Sequence, residues 1–199
     1  MSDFEVTTAT AEQLAVFRAA TKTAPIAAVR HVFWPAGAAI PESTSVPYPA
    51  VTDSGSVHAK MDTLGFDSTT QESCQFVAYL EHWGAGTIKC RAVWTYAGSP
   101  TGTKVEWGFS ARALANDDAQ NQAFGTAQVI YDTKITAGDE HVTDASPAIT
   151  VGGTPANGRR IQLKVTRNPA SSNDDLGTDA LLLGIWVEYT EAAIEEAAW

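Results

Sequence analysis

The fold class is decided by residues 86–96, which read GTIKCRAVWTY. From Ile88 to Tyr96 the apolar side chains recur at every second position, and Lys89 and Arg91 lie between them. Successive side chains of a β-strand point to opposite faces, so this pattern predicts a strand with one face in a core and the other toward solvent. A helix would instead repeat its apolar residues every three or four positions.

The same period of two recurs along most of the chain from about residue 28. The gaps between the alternating runs hold Gly, Pro, Asn, Asp and Ser, the residues typical of turns. The further runs cover residues 29–34, 57–62, 74–80, 105–113, 127–131, 161–166 and 181–189. About eight strands without helices between them predict an all-β, jelly-roll-like antiparallel β-sandwich. The stretch 35–55 holds several prolines, which excludes a central strand there.

A different pattern precedes the strands. Thr10 with Gln13 three positions later resembles a helix N-cap, and Leu14 and Phe17 then share one face. This predicts a short helical arm, which has a single apolar stripe and therefore needs something to dock onto. We divide the chain into an N-terminal docking arm at 1–27, a β-sandwich domain at 28–190 and a C-terminal tail at 191–199.

Composition restricts the partners. The 199 residues include 13 Lys and Arg against 23 Asp and Glu, a formal net charge of -10, and the basic residues do not cluster. We therefore expect neither nucleic acid nor an anionic membrane as a partner. The longest apolar run, residues 180–187, is far shorter than the roughly 20 residues of a spanning helix. Residues 1–5 are acidic where a signal peptide is basic, so we expect synthesis in a cytoplasm without a signal peptide.

The two cysteines are expected to be free. Cys74 and Cys90 lie on adjacent predicted strands, which we interpret as a hairpin turning around Gly84. That turn pairs position 74 with about 94, so the two sulfurs would be several residues out of register and too far apart for a disulfide. Both cysteines are predicted to be buried and to act as small apolar side chains.

Motifs for catalysis or metal binding are missing from the sequence. There is no G-x-S-x-G, H-E-x-x-H or paired C-x-x-C, and the four histidines are scattered. Two acidic clusters, residues 116–118 and 173–175, have two interpretations. They are Ca²⁺ ligands in sandwich loops, or they are ordinary turns in which Asp and Asn bind local backbone groups; we favour turns. We expect no enzyme activity and no cofactor, with Ca²⁺ as the alternative.

Aromatic residues are the most informative feature. We expect Trp94, Trp107 and Trp186, inside alternating strands, to fill the core. Trp83 lies in the predicted turn and has two interpretations: it stacks on a sugar or a neighbouring subunit, or it closes the end of the sandwich. Large apolar groups at chain ends favour intersubunit contacts, and the following residues are assigned to assembly or docking: Leu14, Phe17, Trp34 and Trp199.

A series of short motifs follows one another along the β region. They are 33–38 (FWPAGA), 63–67 (TLGFD), 75–76, the Trp83 turn, 93–94, 107–108, 116–118, 123–127 (AFGTA), 153–155 (GTP), 179–181, 184 and 188–190. Their order resembles that in a family of small, mostly uncharacterised structural proteins of tailed bacteriophages. Two positions depart from the family pattern: Gly65 replaces an acidic residue and Leu182 a basic one. The resemblance implies a virion component and implies no catalytic residue.

The sequence therefore predicts a non-enzymatic phage virion protein. We expect a homotrimer, either a capsid decoration or head fibre or a tail-fibre component, anchored through its N-terminal arm to other capsid or tail proteins. The alternative is a carbohydrate-binding module for host recognition, and both apply if a fibre also binds a host-surface glycan. For that alternative the expected glycan contacts are Trp83, Asn116, Asp117 and Asp118.

Overall fold

The structure, a computed structural model, describes residues 27–52 and 60–192. This part of the chain is built almost entirely from β-strands, with a single short 3-10 helix at Ala36–Ala38. The strands are β1 (Val29–Pro35), β2 (Ile40–Pro41), β3 (Tyr48–Thr52), β4 (Met61–Phe66), β5 (Glu72–Tyr79), β6 (Trp83–Thr95), β7 (Lys104–Leu114), β8 (Gln128–Thr133), β9 (His141–Val142), β10 (Gly152–Gly153), β11 (Arg160–Arg167) and β12 (Ala180–Glu191).

The strands form two six-stranded sheets that share one core. The first sheet has the order β3-β4-β12-β6-β9, and β1 also pairs with β12. The second has the order β10-β7-β11-β5-β2, and β8 also pairs with β7. All pairs are antiparallel except the short β10–β7 pair. The predicted all-β sandwich is confirmed, and the proline-rich stretch contributes only the terminal strands β2 and β3, as its prolines require.

The period of two identifies the core-facing side chains of the central strands correctly. In β6 and β7 every predicted inward position is buried, including Trp94 and Trp107, which are both fully inaccessible. The 0% exposure of Ile161, Leu163 and Val165 in β11 agrees as well. These positions meet across the sandwich, for example where the Phe66 and Trp107 rings pack edge to face at 5.1 Å.

The cysteines are free and buried as predicted, although the predicted hairpin is wrong. β5 pairs with β11 and β2, whereas β6 pairs with β12 and β9, so Cys74 and Cys90 lie in opposite sheets. The chain crosses between the sheets at residues 80–82 instead of turning back within one. Burial raises the pKa of the Cys74 thiol to about 12 and raises that of Cys90 as well, which keeps both unreactive.

Two tryptophans exchange the roles that the sequence predicted for them. Trp34 was expected at a subunit contact, but its side chain points inward, is only 8% exposed and packs near Phe76 with ring centroids 6.0 Å apart. Trp186 was expected in the core, but it is 38% exposed because Ile185 and Val187 take the inward positions. A register shift between Leu182 and Gly184 changes which residues of β12 face the core.

Gly65, one of the two positions that depart from the expected motif pattern, has no space for a side chain. A Cβ atom at this position would lie 2.3 Å from the ring of Tyr48, on the neighbouring strand β3. The ring therefore occupies the space that a larger residue at position 65 would need. Leu182, the other departure, is fully buried, so an apolar side chain suits its place in the core.

Several expectations lie outside the described residues. These are the helical arm with Leu14 and Phe17, the tail with Trp199, and residues 57–59 of the strand predicted at 57–62. Within the described residues no helix has the length and apolar character needed to cross a membrane.

A buried ion pair fixes one end of the sandwich. Arg167 at the end of β11 is fully buried, and its Nε and Nη2 donate to the two carboxylate oxygens of Asp174 at 3.0 and 2.9 Å. Its remaining donors reach the carbonyl oxygens of Phe66, Leu176 and Thr178. The five N–H donors of the guanidinium are thus all used, which is the condition under which a buried charge is tolerated.

We predict that Asp174→Asn destabilises the domain by about 3–5 kcal/mol, because it leaves the Arg167 charge buried without its counter-ion. The measurement is urea unfolding followed by tryptophan fluorescence. Asp139→Asn, an exposed Asp in another loop, is the matched control and should change the free energy of unfolding by less than about 0.5 kcal/mol. A change of the same small size in Asp174→Asn would contradict the structural role of the pair.

Candidate functional site

A groove of about 380 Å³ crosses the outer face of the second sheet. Its lining alternates in sequence with the core residues Trp107, Phe109 and Val165, which is why it lies on the outer face. We define the groove by Glu106, Gly108 and Ser110 of β7, Lys164 and Thr166 of β11, and Phe124 of the loop that follows β7.

Gly108 leaves the middle of the groove open. It pairs with Thr166 on β11 and with Val129 on β8, and a Cβ atom there would meet their side chains at ordinary contact distances of 3.7 and 3.8 Å. The position thus tolerates a small side chain, while a larger one would extend into the groove.

The hydroxyl groups of Ser110 and Thr166 face the groove without a hydrogen bond to any other described residue. Ser110 is only 7% exposed. Neither hydroxyl oxygen is among the side-chain atoms that are shut off from solvent without a partner, so water reaches both of them in the free protein. Two unpaired hydroxyls beside an aromatic wall are therefore able to bind a polar ligand without breaking any protein contact.

Glu106 adds a carboxylate at the edge of the groove. Its Oε2 accepts hydrogen bonds from Ser171 Oγ at 2.7 Å and from Asn173 Nδ2 at 3.3 Å. Both partners are neutral, and no lysine or arginine of the described residues forms an ion pair with Glu106. The carboxylate is thus oriented by its loop and keeps its charge unbalanced.

Lys164 is the cationic side chain of the groove, and it is paired. Its Nζ lies 3.1 Å from Oε1 of Glu42. The same carboxylate oxygen accepts a hydrogen bond from Nε2 of Gln75 at 3.0 Å. These contacts, with burial opposing them, hold the pKa of Glu42 below its usual range. The pair forms one margin of the groove and contributes little net charge.

The loop from 115 to 127 forms the aromatic wall and is held down by Arg112. The Arg112 guanidinium donates to the carbonyl oxygens of Gln122 and Ala119, and Gly125 N donates to the carbonyl oxygen of Ala111. The loop contains no helical turn. These contacts position Phe124 beside the floor strands.

Two other cavities offer less chemistry. One, of about 320 Å³, is lined mainly by alanine and proline near the 3-10 helix, with Asp62 at its rim. The other, of about 380 Å³, lies at the start of β1 and is lined in part by Tyr79 and Tyr189. Its Arg30 and Glu191 bind each other at 2.6 Å, and Tyr189 Oη donates to the carbonyl oxygen of Glu81. Of these three cavities in the described part of the chain, the groove is the one that combines an aromatic side chain with serine and threonine hydroxyls that have no protein partner.

The predicted glycan contacts do not form one exposed site, because Trp83 is buried. Trp83 is 1% exposed at the start of β6, so it closes the end of the sandwich and is not available for stacking on a sugar. The remaining predicted contacts, Asn116, Asp117 and Asp118, follow β7 of the second sheet. None of them lines the groove on that sheet. Of the two interpretations of Trp83, its burial agrees with the one in which it closes the end of the sandwich, because the chain changes sheets at this turn and carries the indole inward.

The carboxylates of both acidic clusters accept hydrogen bonds from other residues of the chain. Asp118 accepts from Ala115 N and from Thr154 Oγ1, and Asp175 accepts from the backbone N–H groups of Thr103 and Lys104. Asp174 pairs with Arg167, as described above. No group of metal-ligating side chains occurs among the described residues. The Asp118 contact with Ala115 is a local turn, whereas the contacts of Asp175 with Thr103 and Lys104 join two loops that are distant in the sequence.

The sequence analysis did not identify a pair of exposed aromatic side chains on the first sheet. Phe33 of β1 and Trp186 of β12 are directly opposite each other with ring centroids 5.1 Å apart, and both are 38% exposed. Phe33 lies over Gly184, where a Cβ atom would be 2.4 Å from its ring. Alternation along β1, with Trp34 inward, is the signal that would have identified Phe33.

Comparisons with known proteins do not assign the chain to a family. No protein-family model and no curated protein sequence matches the chain. Among solved structures it is similar to the CBM22-1 and GH10 modules of endo-1,4-β-D-xylanase 10B from Clostridium thermocellum, complexed with xylohexaose. The identity is 16% and the TM-score 0.47, over 84% of this chain and 29% of that one. The chain thus spans less than a third of that protein.

Two further likenesses are to single modules. The family 11 carbohydrate-binding module of Clostridium thermocellum, in complex with a β-1,3-1,4-mixed-linked tetrasaccharide, has 10% identity and a TM-score of 0.43 over 85% of this chain and 99% of that one. The CBM22-1 xylan-binding domain of Paenibacillus barcinonensis has 6% identity and a TM-score of 0.44 over 86% and 100%. At these identities the likeness concerns the β-sandwich alone.

The carboxylates of Asp118 and Asp175 predict a loss of stability in acid. Hydrogen bonds from Thr103 N and Lys104 N lower the pKa of Asp175, and hydrogen bonds from Ala115 N and Thr154 lower the pKa of Asp118. A lowered pKa in the folded state gives stability that is present above the unfolded value of about 3.9 and is lost as pH falls through the folded value. The urea midpoint should therefore decrease below about pH 4.

The variant Asp175→Asn should flatten this pH profile, because its side chain does not titrate. Glu72 acts in the opposite direction, since burial raises its pKa and ionisation then disfavours the folded state. Midpoints are compared between about pH 6 and 2.5. A decrease in acid of equal size in the variant would contradict the assignment to Asp175.

Proposed function

We propose that the protein is a non-catalytic binding module that holds a carbohydrate in the groove on its second sheet. The observation that carries the proposal is the pair of unpaired hydroxyls, Ser110 and Thr166, on a sheet face with Phe124 at its side. A sugar ring offers hydroxyls at its rim and apolar C–H groups on its faces. It thus needs hydrogen-bonding groups together with an aromatic surface, as the groove provides.

Binding fits the groove better than hydrolysis. Glycoside hydrolysis generally uses two carboxyl groups about 5 to 10 Å apart across the bond that is cleaved. Among the described residues that line the groove, Glu106 is the one acidic side chain. The nearby Glu42 forms an ion pair with Lys164 and accepts a hydrogen bond from Gln75, so its carboxylate is already occupied by contacts within the protein.

The double variant Ser110→Ala/Thr166→Val tests this proposal. Because neither hydroxyl has a partner in the described part of the chain, the fold should keep its stability, while glycan affinity should fall by about tenfold or more. Binding is first screened on an array of neutral and acidic oligosaccharides and then measured by calorimetry. Unchanged urea midpoints would show that the loss arises in the site.

Gly108→Leu should block the groove by filling its centre. Gln162→Leu is the matched control, because Gln162 lies on the outer face of β11 but does not line the groove. The array ligand should bind the control as it binds the original protein. Binding by Gly108→Leu with unchanged affinity, or no binding of any array member by the original protein, would overturn the proposal.

A second candidate function, which does not exclude the first, is a structural role in a tailed-phage virion. The family resemblance and the trimer remain predictions. The specific observation in their favour is the half-exposed pair Phe33 and Trp186, which presents two aromatic rings to solvent on the sheet opposite the groove. We propose this pair, in place of Trp34, as the contact between copies.

We predict that Phe33→Ser/Trp186→Ser converts a trimer into a monomer. Light scattering after size exclusion should give three times 21.1 kDa for the original protein and 21.1 kDa for the variant. Tyr79→Ser, which alters an exposed aromatic residue on the other sheet, is the control and should remain trimeric. A monomeric original protein, or a variant that stays trimeric, would overturn this second candidate.

A further inference from the structure

We infer that the groove selects a neutral saccharide and rejects acidic ones, an inference that rests on the proposed binding function. The inference concerns the charge of the ligand, which the hydroxyls and the aromatic wall leave open. It follows from how the three charged side chains of the groove and its margin are paired.

Glu106 is the unbalanced charge of the groove. It is 7% exposed and both of its hydrogen-bond donors, Ser171 and Asn173, are neutral. Two carboxylates brought close together away from bulk water repel each other more strongly than they would in water. A uronate or other acidic sugar in the groove would meet this repulsion, whereas a neutral sugar offers hydroxyl donors that the carboxylate accepts.

The cations near the groove do not compensate for Glu106. Arg112, two residues beyond Ser110 on β7, donates through its guanidinium to the carbonyl oxygens of Gln122 and Ala119 and does not line the groove. Lys164 has its Nζ 3.1 Å from Glu42, so its charge is already balanced. Lys104, two residues before Glu106 on β7, places its Nζ over the ring of Tyr131 at 5.4 Å from the centroid and does not line the groove. An acidic ligand would have to break the Lys164–Glu42 pair to obtain a counter-ion.

The charge of the whole chain acts in the same direction. The formal net charge is -10, which repels anions at long range and favours encounter with uncharged ligands. This contribution is screened by salt, whereas the short-range repulsion at Glu106 is screened less. The two effects are therefore separable in an experiment.

The test compares hexasaccharides of glucose, mannose and galactose with the same hexasaccharides oxidised at C6 to uronates. Each neutral and acidic pair differs in charge and shares its ring stereochemistry. For any pair that binds, we expect the uronate to bind at least about tenfold more weakly. Glu106→Gln should reduce this difference to less than about threefold, because the amide carries no charge and still accepts a hydrogen bond.

Asp139→Asn is the control. It also removes one negative charge, but from an exposed carboxylate that does not line the groove and forms no ion pair with Lys164, so the selectivity should stay above about fivefold. Urea midpoints report whether either variant is misfolded. If Glu106→Gln does not fold, the salt dependence of the original protein tests the inference instead. Part of its preference for neutral over acidic sugars should persist at about 1 M salt, where the Debye length is about 3 Å.

The outcomes separate the inference from the function on which it rests. Equal or tighter binding of the uronates by the original protein would overturn neutral selection and leave carbohydrate binding intact. Undiminished discrimination in a folded Glu106→Gln would overturn the role of Glu106. If neither these hexasaccharides nor any member of the array binds, the proposed function itself fails.

Discussion

The buried pair of Arg167 and Asp174 is the interaction on which this end of the sandwich depends. One guanidinium binds a carboxylate of its own loop and the backbone of β4, and the same carboxylate accepts from Glu106 N on β7. The ion pair thus contacts β4 of the first sheet and β7 of the second. It also contacts the loop that precedes β12. The loop in turn supplies Ser171 and Asn173, which orient Glu106, so the pair connects the core to the candidate site.

The groove results from polar alternation on the second sheet together with one missing side chain. Ser110, Lys164 and Thr166 point outward because Phe109 and Val165 point inward, and Gly108 leaves the centre empty. Loop 115–127 then adds Phe124 to one side, held by Arg112. The hydroxyls need no protein partner in this arrangement, so a ligand is able to pair with them without competing against the fold.

Sequence periodicity predicted the fold class and the strands of the core, because a period of two is a local property of the chain. The cysteines are free as predicted, but the hairpin from which that prediction followed is wrong. Periodicity was less successful in predicting which face of a strand a side chain lies on and which strands pair with each other. The register shift in β12 turned Trp186 outward, and the crossing at residues 80–82 separated Cys74 from Cys90 and buried Trp83. A tryptophan in an apparent turn looked like a ligand contact, while the serine and threonine of the groove looked like ordinary solvent-facing positions.

The sequence by itself determined which side chains alternate, where prolines prevent central strands and which common catalytic motifs are missing. Each of these follows from residues close together along the chain. Only the tertiary structure decided which strands are neighbours, and hence that Gly108, Ser110 and Thr166 share one face with Phe124. The physical reason is that strand pairing is made by backbone hydrogen bonds between distant segments, and these carry almost no signature in the side-chain pattern.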